Sequence, residues 1–268
     1  MVKWNIIGKN NGDYFPTIAG LILFGKEGLS EYEYASLRIT KFEGVSLTNI
    51  SDSYEFGLPI LKNIDFVFNT AIRLLKKESY LEGAKRLQRT IIPDFAVREA
   101  IINAIVHRDY SIRGSSTKIN IFDNRMEVIS PGTLYGNLDI SDLGTGLSES
   151  RNRAMVRFFR KMNLMEELGT GIARILALYR ERNLKKPEFL EQSNFFRVIL
   201  YQEDKLEKTG ELIFELIKDR IKIGAAEIAA QLNLHHNTVL YHLKNLQKDN
   251  RIRKIGKGSK TFYTTTSG

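Results

Sequence analysis

The chain of 268 residues, of which 43% are hydrophobic and 26% charged, has the composition of a folded globular protein and excludes a collagen-like or disordered chain. Its 40 Lys and Arg outnumber its 31 Asp and Glu by a net charge of +9, and the absence of cysteine excludes disulfides, thiolate nucleophiles and cysteine-ligated zinc. No apolar run reaches the roughly 20 residues that cross a bilayer, so we expect a cytoplasmic protein with no membrane partner.

The first segment, residues 1–50, is predicted to contain one short helix and one strand. Residues 16–25 are apolar and end at a glycine, and residues 34–42 alternate between polar and apolar side chains. A segment of this length seldom folds alone. We therefore expect it to pack against the next domain or against an upstream domain that the chain lacks.

The middle segment, residues 51–203, mixes helical and strand-like patterns, which indicates an α/β or α+β domain. Residues 93–106 begin with Pro-Asp, which is typical of a helix start, and continue as an apolar run. Residues 117–122 and 126–129 alternate on either side of a polar turn and predict a hairpin. Further helices are predicted at residues 58–77, 153–164 and 172–182, a closing strand at 194–201, and a linker at 202–209.

The last segment is predicted to be a winged helix-turn-helix domain. Residues 205–268 carry a net charge of +6, most of the excess of the whole chain. Three amphipathic helices are followed by two alternating strands that flank a basic glycine turn, which is the element order of a winged helix. The predicted helices span residues 211–219, 225–232 and 237–248, and the predicted strands span 251–255 and 261–264.

A basic winged helix predicts double-stranded DNA as a partner. Helix-turn-helix proteins commonly bind paired half-sites as dimers, so a homodimer is also predicted. In the third helix Val239, Leu243 and Leu246 recur at helical spacing and face the core, which leaves polar side chains for the groove. The alternative is a protein-interaction module whose lysines are merely solvated. The candidate DNA contacts are Asn237, Thr238, Tyr241, Lys244, Asn245, Arg251, Arg253, Lys254, Lys257 and Lys260.

Two other groups of polar residues are open to more than one interpretation. His235, His236 and His242 are interpreted as turn and surface histidines, because no carboxylate or third nitrogen stands at metal-ligand spacing. The Arg-Asn-Arg sequence at residues 151–153 either contacts phosphate or forms a basic surface turn.

Two polar side chains interrupt the apolar helix predicted at residues 93–106. Glu99 and Asn103 are four residues apart and share one face, and His107 continues that face. A carboxylate in a buried helix needs a partner. One interpretation is a magnesium-nucleotide site, in which Glu99 activates a water and the Asn103 carbonyl binds Mg²⁺. The other is an ion pair between Glu99 and a nearby basic group such as Arg108, with Asn103 capping a backbone group.

The sequence Gly169-Thr170-Gly171 stands immediately before a predicted helix. Glycines let the backbone approach a ligand closely, and the free amides of a helix start attract anions. These residues therefore predict a phosphate site. The alternative is that Gly169 ends one helix and the next begins after it.

Four ordered motifs carry a resemblance to a known family. They are Glu99-x-x-x-Asn103-Ala-x-x-His107-Arg-Asp-Tyr110, Ser130-Pro-Gly132, Arg151-Asn152 and Glu167-x-Gly169-Thr-Gly-Ile172. Together they resemble the divergent GHKL-type ATPase module of regulators often described as RecG-like ATP-dependent DNA helicases. Residues 16–25 resemble the end of the Schlafen-like domain that precedes this module. The resemblance implies that the chain is a fragment of a longer protein.

This resemblance implies an α+β fold, a GHKL-like sandwich of helices on a mixed sheet that binds ATP and Mg²⁺, followed by the winged-helix domain. It divides the chain into a Schlafen-like C-terminal remnant (1–50), a divergent GHKL ATPase-like domain (51–203) and the winged helix-turn-helix (204–268). Glu99 is implied as the catalytic base and Asn103 as the magnesium ligand. The further candidate cofactor contacts are His107, Arg108, Asp109, Gly132, Gly169, Thr170 and Gly171.

One motif departs from the GHKL pattern. GHKL ATPases carry an Asp-x-Gly-x-Gly box after the hairpin, whose Asp binds the adenine amino group, whereas this chain has Ser130-Pro-Gly132. No Gly-x-x-x-x-Gly-Lys-Ser/Thr loop is present, so we do not expect helicase activity. The favoured function is a DNA-binding transcriptional regulator whose GHKL-like domain, degenerate or intact, is a scaffold or sensor. The alternatives are an active Mg-ATP hydrolase coupled to a DNA transaction and a protein-interaction adaptor.

Overall fold

The computed structural model describes residues 1–26, 29–82, 85–166, 169–202, 205–220, 222–234, 236–256 and 261–266, with the backbone alone at 80–82 and 205–208. The chain divides into two compact units, Met1–Gln202 and Glu203–Gly268. The helices of the first unit are α1 (Ile18–Phe24), α2 (Ile60–Leu74), α3 (Asp94–Val106), α4 (Arg153–Lys161) and α5 (Gly171–Glu181), with short 3-10 helices at Val2–Trp4, Ser30–Ala35 and Ile140–Asp142. Its strands are β1 (Ile7–Asn10), β2 (Asp13–Pro16), β3 (Leu37–Phe42), β4 (Ile50–Phe56), β5 (Lys77–Glu82), β6 (Lys85–Thr90), β7 (Thr117–Ile121), β8 (Arg125–Pro131), β9 (Glu188–Gln192) and β10 (Phe195–Tyr201).

A six-stranded sheet forms the centre of the first unit, in the order β4-β3-β7-β8-β10-β9. Strands β3 and β7 are parallel, and the other neighbouring pairs are antiparallel. The sheet is therefore mixed. This confirms the expectation of an α+β fold in which helices are layered on a mixed sheet.

Helices α2 and α3 cover one face of this sheet, and the core lies between the two layers. The inward side chains of the central strands, such as Ile119, Val128 and Leu200, are almost fully buried. The opposite face is polar, because Glu127 there accepts a hydrogen bond from Arg125 at 2.6 Å. Alternation along the central strands thus gives an apolar face toward the helices and an opposite face that mixes charged side chains such as Glu127 with apolar ones such as Ile199.

Helix α3 is buried around most of its circumference, which agrees with its apolar sequence. It spans the predicted residues, with Pro93 at the N-cap and His107 at the C-cap. Asp94 accepts a hydrogen bond from the Thr90 hydroxyl instead of capping the first turn. Because the helix ends at Val106, the residues after His107 no longer follow its face.

Several elements of the first unit differ from the sequence-based expectation. The helix predicted at residues 58–77 ends at Leu74, because the chain continues into a hairpin of β5 and β6 that the sequence pattern did not indicate. The strand predicted at residues 34–42 begins at Leu37, after a 3-10 helix. Strands β4 and β9 were not predicted either. Both lie at the edges of the sheet and are largely exposed, so they lack a clear apolar pattern.

The second unit contains three helices and a hairpin among its described residues. They are α6 (Lys205–Lys218), α7 (Ala225–Gln231), α8 (His236–Lys248), β11 (Ile252–Ile255) and β12 (Phe262–Thr265). Strands β11 and β12 are antiparallel, and an isolated bridge joins Ile223 to Tyr263. The core includes Ile213, Val239 and Leu243. The predicted linker at 202–209 is wrong in its second half, since α6 begins at Lys205 and adds a turn to the expected helix.

Across the described parts of both units, no helix has the length and apolar character needed to cross a membrane.

Candidate functional site

A cavity of about 120 Å³ lies in the first unit beside the polar stripe of α3. Its walls come from α3, from strands β8 and β10, from the start of α5, and from the segment between residues 132 and 149. Val128, Phe196 and Ile175 supply apolar surface, while Glu99 and Asn103 supply polar atoms. An apolar pocket with a few convergent polar groups is the usual form of a small-molecule site.

Glu99 and Asn103 lie side by side in this wall. The Asn103 amide nitrogen donates to the Glu99 carboxylate at 3.0 Å, which leaves the Asn103 carbonyl oxygen as a ligand atom. Glu99 is only 5% exposed. Burial raises the pKa of this carboxyl, the Asn103 hydrogen bond opposes that effect, and the nearby charge of Glu166 raises the pKa further. A buried carboxyl of raised pKa is a suitable proton acceptor.

The start of α5 touches Glu99 directly. Gly171 is the first residue of α5, and a β-carbon at this position would overlap the Glu99 carboxylate. Gly169, two residues earlier, lies at the cavity with a positive φ of 65°, where glycine is favoured. The structure therefore brings the two glycines of the Gly-Thr-Gly sequence to the same cavity as the polar stripe of α3.

His107 also lines the cavity, at the C-cap of α3. Burial, assisted by the positive charge of Arg160, lowers the pKa of this imidazole to about 4. His107 is therefore neutral at physiological pH. A neutral imidazole both donates and accepts a hydrogen bond.

Arg108, Asp109 and Thr170 are not among the residues that line this cavity. Arg108 is 1% exposed, and its guanidinium donates to the carbonyls of Tyr34 at 2.9 Å and of Ser115 at 2.7 Å. It therefore holds backbone segments together, and Arg108 is not the basic partner of Glu99 that the alternative interpretation named as its example. The expectation of a cofactor contact by Arg108 finds no support in this placement.

Asp109 and Thr170 have partners of their own near the rim. The Asp109 carboxylate pairs with Arg151 at 3.0 Å, and a β-carbon at Gly132 would come within 2.8 Å of the Asp109 β-carbon. The Thr170 hydroxyl donates to Glu166 at 2.8 Å. Gly132 itself lines the cavity, and Asp109 packs against Gly132 without lining the cavity.

Ser130, the first residue of the Ser130-Pro-Gly132 motif, stands in the cavity wall. Its hydroxyl donates to the Ala104 carbonyl at 2.8 Å and so joins β8 to α3. The Ser130 hydroxyl therefore cannot donate this hydrogen to a ligand while it is bonded to Ala104. The lining of the cavity also includes the apolar side chains Val128, Val198 and Phe196.

Sequence reasoning missed the part of the wall that the segment after β8 supplies. This segment brings Tyr135, Ser148 and Glu149 to the cavity. Its signal was present in Gly136, which has a positive φ, and in the other glycines of the segment. Such glycines mark tight turns of a loop, and functional residues often lie on loops.

A cation at this site would depend on few protein ligands. Among the residues that the structure describes, no three His, Asp or Glu side chains are grouped as a metal site. The Asn103 carbonyl oxygen is a hard ligand of the kind that Mg²⁺ prefers, and Mg²⁺ commonly takes one or two protein ligands together with phosphate oxygens. The donor set therefore fits a magnesium ion that arrives with a nucleotide and does not fit an independent metal site.

The second unit exposes one side of α8. Val239, Leu243 and Leu246 are buried in its core, as expected from their spacing. The predicted DNA contacts of this helix lie on the other side, where Tyr241 is 51% exposed and Lys244 is exposed. Asn237 and Asn245 are exposed and Thr238 is half-buried; in β11, Arg253 and Lys254 are exposed as well.

Arg251 and His242 differ in the structure from their sequence-based assignments in this unit. Arg251 is engaged within the unit, because its guanidinium pairs with Glu211 and lies over the Phe214 ring at 3.8 Å. His242 is buried, so the interpretation of a surface histidine is wrong for this residue. It takes that position because it is adjacent to Leu243 on the core side of α8. The predicted contacts Lys257 and Lys260, and His235, lie outside the described residues.

Comparisons with known proteins bear on both the module and the fold. Residues 114–200 match the family model of the putative ATP-dependent DNA helicase recG C-terminal, which covers Ser130 and Gly171 and leaves α3 outside. The DIP2311 protein from Corynebacterium diphtheriae is similar in structure, with a TM-score of 0.62 and 17% identity, over 94% of this chain and 54% of that chain. The chain thus spans about half the length of that structure. No curated protein matches. Residues 114–200 are therefore similar to a RecG-like, ATPase-like module, and the chain has an α+β fold.

Proposed function

We propose that the chain is a DNA-binding regulatory protein whose ATPase-like module binds a magnesium nucleotide and acts as its sensor. The observation that carries the nucleotide part is the contact of Glu99 with both Asn103 and the first residue of α5, Gly171, at one apolar cavity. Two helices far apart in sequence thus supply a carboxylate, an amide oxygen and a helix start at one place.

Each residue has a distinct role in this proposal. The apolar side chains Val128 and Phe196 cover the base and exclude water from it. The backbone at Gly169 and Gly171 lets phosphate approach the start of α5, where free amides and the helix dipole favour anions. Asn103 provides an oxygen for Mg²⁺, which neutralises phosphate charge.

Hydrolysis is a second candidate function, favoured by the state of Glu99. Its raised pKa and its burial beside Asn103 suit a group that accepts a proton from an attacking water. In that case Glu99→Ala retains nucleotide binding and loses turnover. A sensor without turnover binds the nucleotide and releases it unchanged.

A titration with Mg-ATP tests the nucleotide part. A ligand that binds the native state stabilises it, by about 2.7 kcal/mol at a hundredfold excess over its dissociation constant. We expect thermal unfolding of the wild type to shift upward with millimolar Mg-ATP, and the shift to disappear in Asn103→Ala. Asn69→Ala is the matched control, because Asn69 is exposed on α2 and distant in sequence from the cavity residues. A wild type that shows no shift overturns the proposal.

The DNA part of the proposal rests on the second unit. Its helices α7 and α8 followed by the β11–β12 hairpin have the element order of a winged helix, and the outer side of α8 carries Tyr241 and Lys244 in exposed positions. Exposed cations of the hairpin, Arg253 and Lys254, complement phosphate. The RecG-like match concerns the other unit, so this assignment depends on the geometry of residues 205–268.

Salt dependence of duplex binding tests this part. We expect affinity to fall steeply with salt. Lys244→Glu or Lys254→Glu should weaken binding, and the slope of log K against log salt should decrease by about 0.9 for every phosphate that the variant no longer neutralises. Lys218→Glu is the matched control, since Lys218 is exposed at the end of α6 in the same unit. Equal effects of all three substitutions, or no duplex binding, favour an adaptor instead. Sedimentation with and without duplex tests the proposed homodimer.

A further inference from the structure

A basic cleft adjoins the cavity. It has a volume of about 640 Å³, and its cationic wall is formed by Arg153, Arg157, Arg160 and Lys161 of α4. Tyr135, Ser148 and Glu149 line both the cleft and the cavity. The two spaces therefore share a wall within the first unit.

In the described part of the chain, no carboxylate lies within ion-pairing distance of the four cations of this basic cleft. Among the described residues, none of them forms an ion pair; Arg157 donates to the Lys3 carbonyl at 3.3 Å. The Nε atom of Arg160 is buried and makes no hydrogen bond with the described residues. A buried guanidinium nitrogen without a partner is costly. The described lining of the cleft thus has four cations and one carboxylate, that of Glu149, which is an excess of positive charge that an anion would complement.

The cavity has the opposite character. Its described lining contains the carboxylates Glu99 and Glu149 and the neutral His107, and it contains no Lys or Arg. A nucleotide held there would leave most of its phosphate charge without a protein cation. The basic cleft supplies such cations, and it shares Tyr135, Ser148 and Glu149 with the cavity, whereas Arg151 and Arg174 near the cavity are paired with Asp109 and Glu166.

Ser148 connects the two spaces. It lines both of them, and a β-carbon placed on Gly169 would come within 3.1 Å of the Ser148 β-carbon. The glycines before α5 are where phosphate is proposed to approach. The cleft therefore begins next to the expected position of the phosphate chain.

We infer that the basic cleft binds the terminal phosphates of the nucleotide whose base occupies the adjoining cavity, an inference that rests on the proposed nucleotide site. Guanidinium groups suit this task because they present several donors to phosphate oxygens in fixed geometry. The triphosphate, with its greater charge, is thereby favoured over the monophosphate. The module would then distinguish nucleotides by the number of their phosphates.

Calorimetric titration of the whole chain with Mg-ATP and with AMP tests this inference. The variants are Arg160→Gln, and Arg153→Gln combined with Lys161→Gln. Arg153 and Lys161 are both exposed, so the double variant should leave the fold intact. We expect each variant to bind ATP roughly tenfold more weakly, because charge-assisted hydrogen bonds to phosphate are removed. AMP affinity is expected to stay within about twofold of the wild type, since AMP does not reach the cleft.

The control is Arg86→Gln, which removes an exposed arginine of β6. ATP affinity in this control should equal that of the wild type. A wild type that binds ATP and cleft variants that bind it equally well overturn the inference and leave the nucleotide site standing. A wild type that binds neither ATP nor AMP overturns the proposed nucleotide function itself.

Discussion

The backbone of Gly171 lies against the carboxylate of Glu99, so closely that a β-carbon at residue 171 would overlap both carboxylate and Cγ atoms of Glu99. Gly171 begins α5, and Glu99 lies in the middle of α3. The two helices therefore approach each other at a point where a side chain on residue 171 would have to displace Glu99. This close approach brings the start of α5 to the cavity.

Substitution Gly171→Ala tests the steric part of this relationship. The added methyl group forces the Glu99 side chain or the start of α5 to move, and overpacking of this kind costs about 1–3 kcal/mol of unfolding free energy. Denaturant unfolding should reveal that decrease. Nucleotide affinity should fall as well, because the start of α5 is displaced from the cavity.

The controls for Gly171→Ala are a substitution of another glycine and a double variant. Gly114→Ala adds the same methyl group where nothing lies within 4 Å, and should change stability little. Combining Gly171→Ala with Glu99→Ala removes the overlapping carboxylate and should restore most of the stability. A double variant as unstable as the sum of its two single variants would contradict a direct clash.

Glu99→Gln should stabilise the protein at neutral pH. Burial raises the pKa of Glu99 above its ordinary value of 4.5, so the folded state prefers the protonated acid. The contribution of Glu99 to the unfolding free energy is then fully present below its pKa in the unfolded chain. It is lost as pH rises through the folded pKa, by about 1.4 kcal/mol for each unit of difference between the folded and unfolded pKa values. The unfolding free energies of the wild type and of Glu99→Gln should therefore agree at about pH 4 and differ at about pH 8. Parallel profiles would refute this expectation.

His107 gives the opposite pH dependence. Its pKa is lowered from 6.5 to about 4, so the fold keeps the neutral imidazole. The stabilisation is therefore present above pH 6.5 and is lost as pH falls toward about 4, by about 3 kcal/mol at most. We expect the wild type to lose more stability than His107→Gln between about pH 7 and about pH 4. A His107 resonance that titrates near the ordinary pKa of 6.5 in a proton NMR series would contradict the burial argument.

Local sequence patterns predicted the elements that carry the site. Helix α3 and the β7–β8 hairpin follow from periodicity and turn residues that are contiguous in the chain. The polar stripe of α3 likewise follows from a spacing of four residues, and it indicated Glu99 and Asn103 correctly as neighbours. Such features depend on nearby residues alone.

Features that depend on distant residues were not predictable in this way. Arg108 follows His107 in sequence, but because α3 ends at Val106 the chain turns and buries Arg108 among the carbonyls of other segments. The basic cleft was missed because the sequence does not show that the cations of α4 lie next to the cavity. In the structure they do, since Ser148 lines both the cleft and the cavity. Neither arrangement leaves a periodic signal in the sequence.

Arg251 provides a final prediction, because its structural setting differs from that of Arg253. The Arg251 guanidinium donates to Glu211 at 2.9 Å and stacks on Phe214, so it ties the start of β11 to α6, whereas Arg253 is exposed. We expect Arg251→Ala to lower the unfolding free energy by about 1–2 kcal/mol, the sum of an exposed ion pair and a cation–π contact. Arg253→Ala should leave stability nearly unchanged.

In duplex binding we expect the opposite ranking, with Arg253→Ala having the larger effect and Arg251→Ala the smaller. Arg253→Ala removes an exposed cation that is able to reach phosphate and should reduce the salt slope by about 0.9, whereas Arg251→Ala should leave that slope unchanged at temperatures where the second unit is folded. Glu211→Gln serves as a further test, because it breaks the same ion pair without removing a positive charge. If Arg251→Ala lowered the slope as Arg253→Ala does while Glu211→Gln did not, Arg251 would be a phosphate contact and its pairing with Glu211 would be secondary.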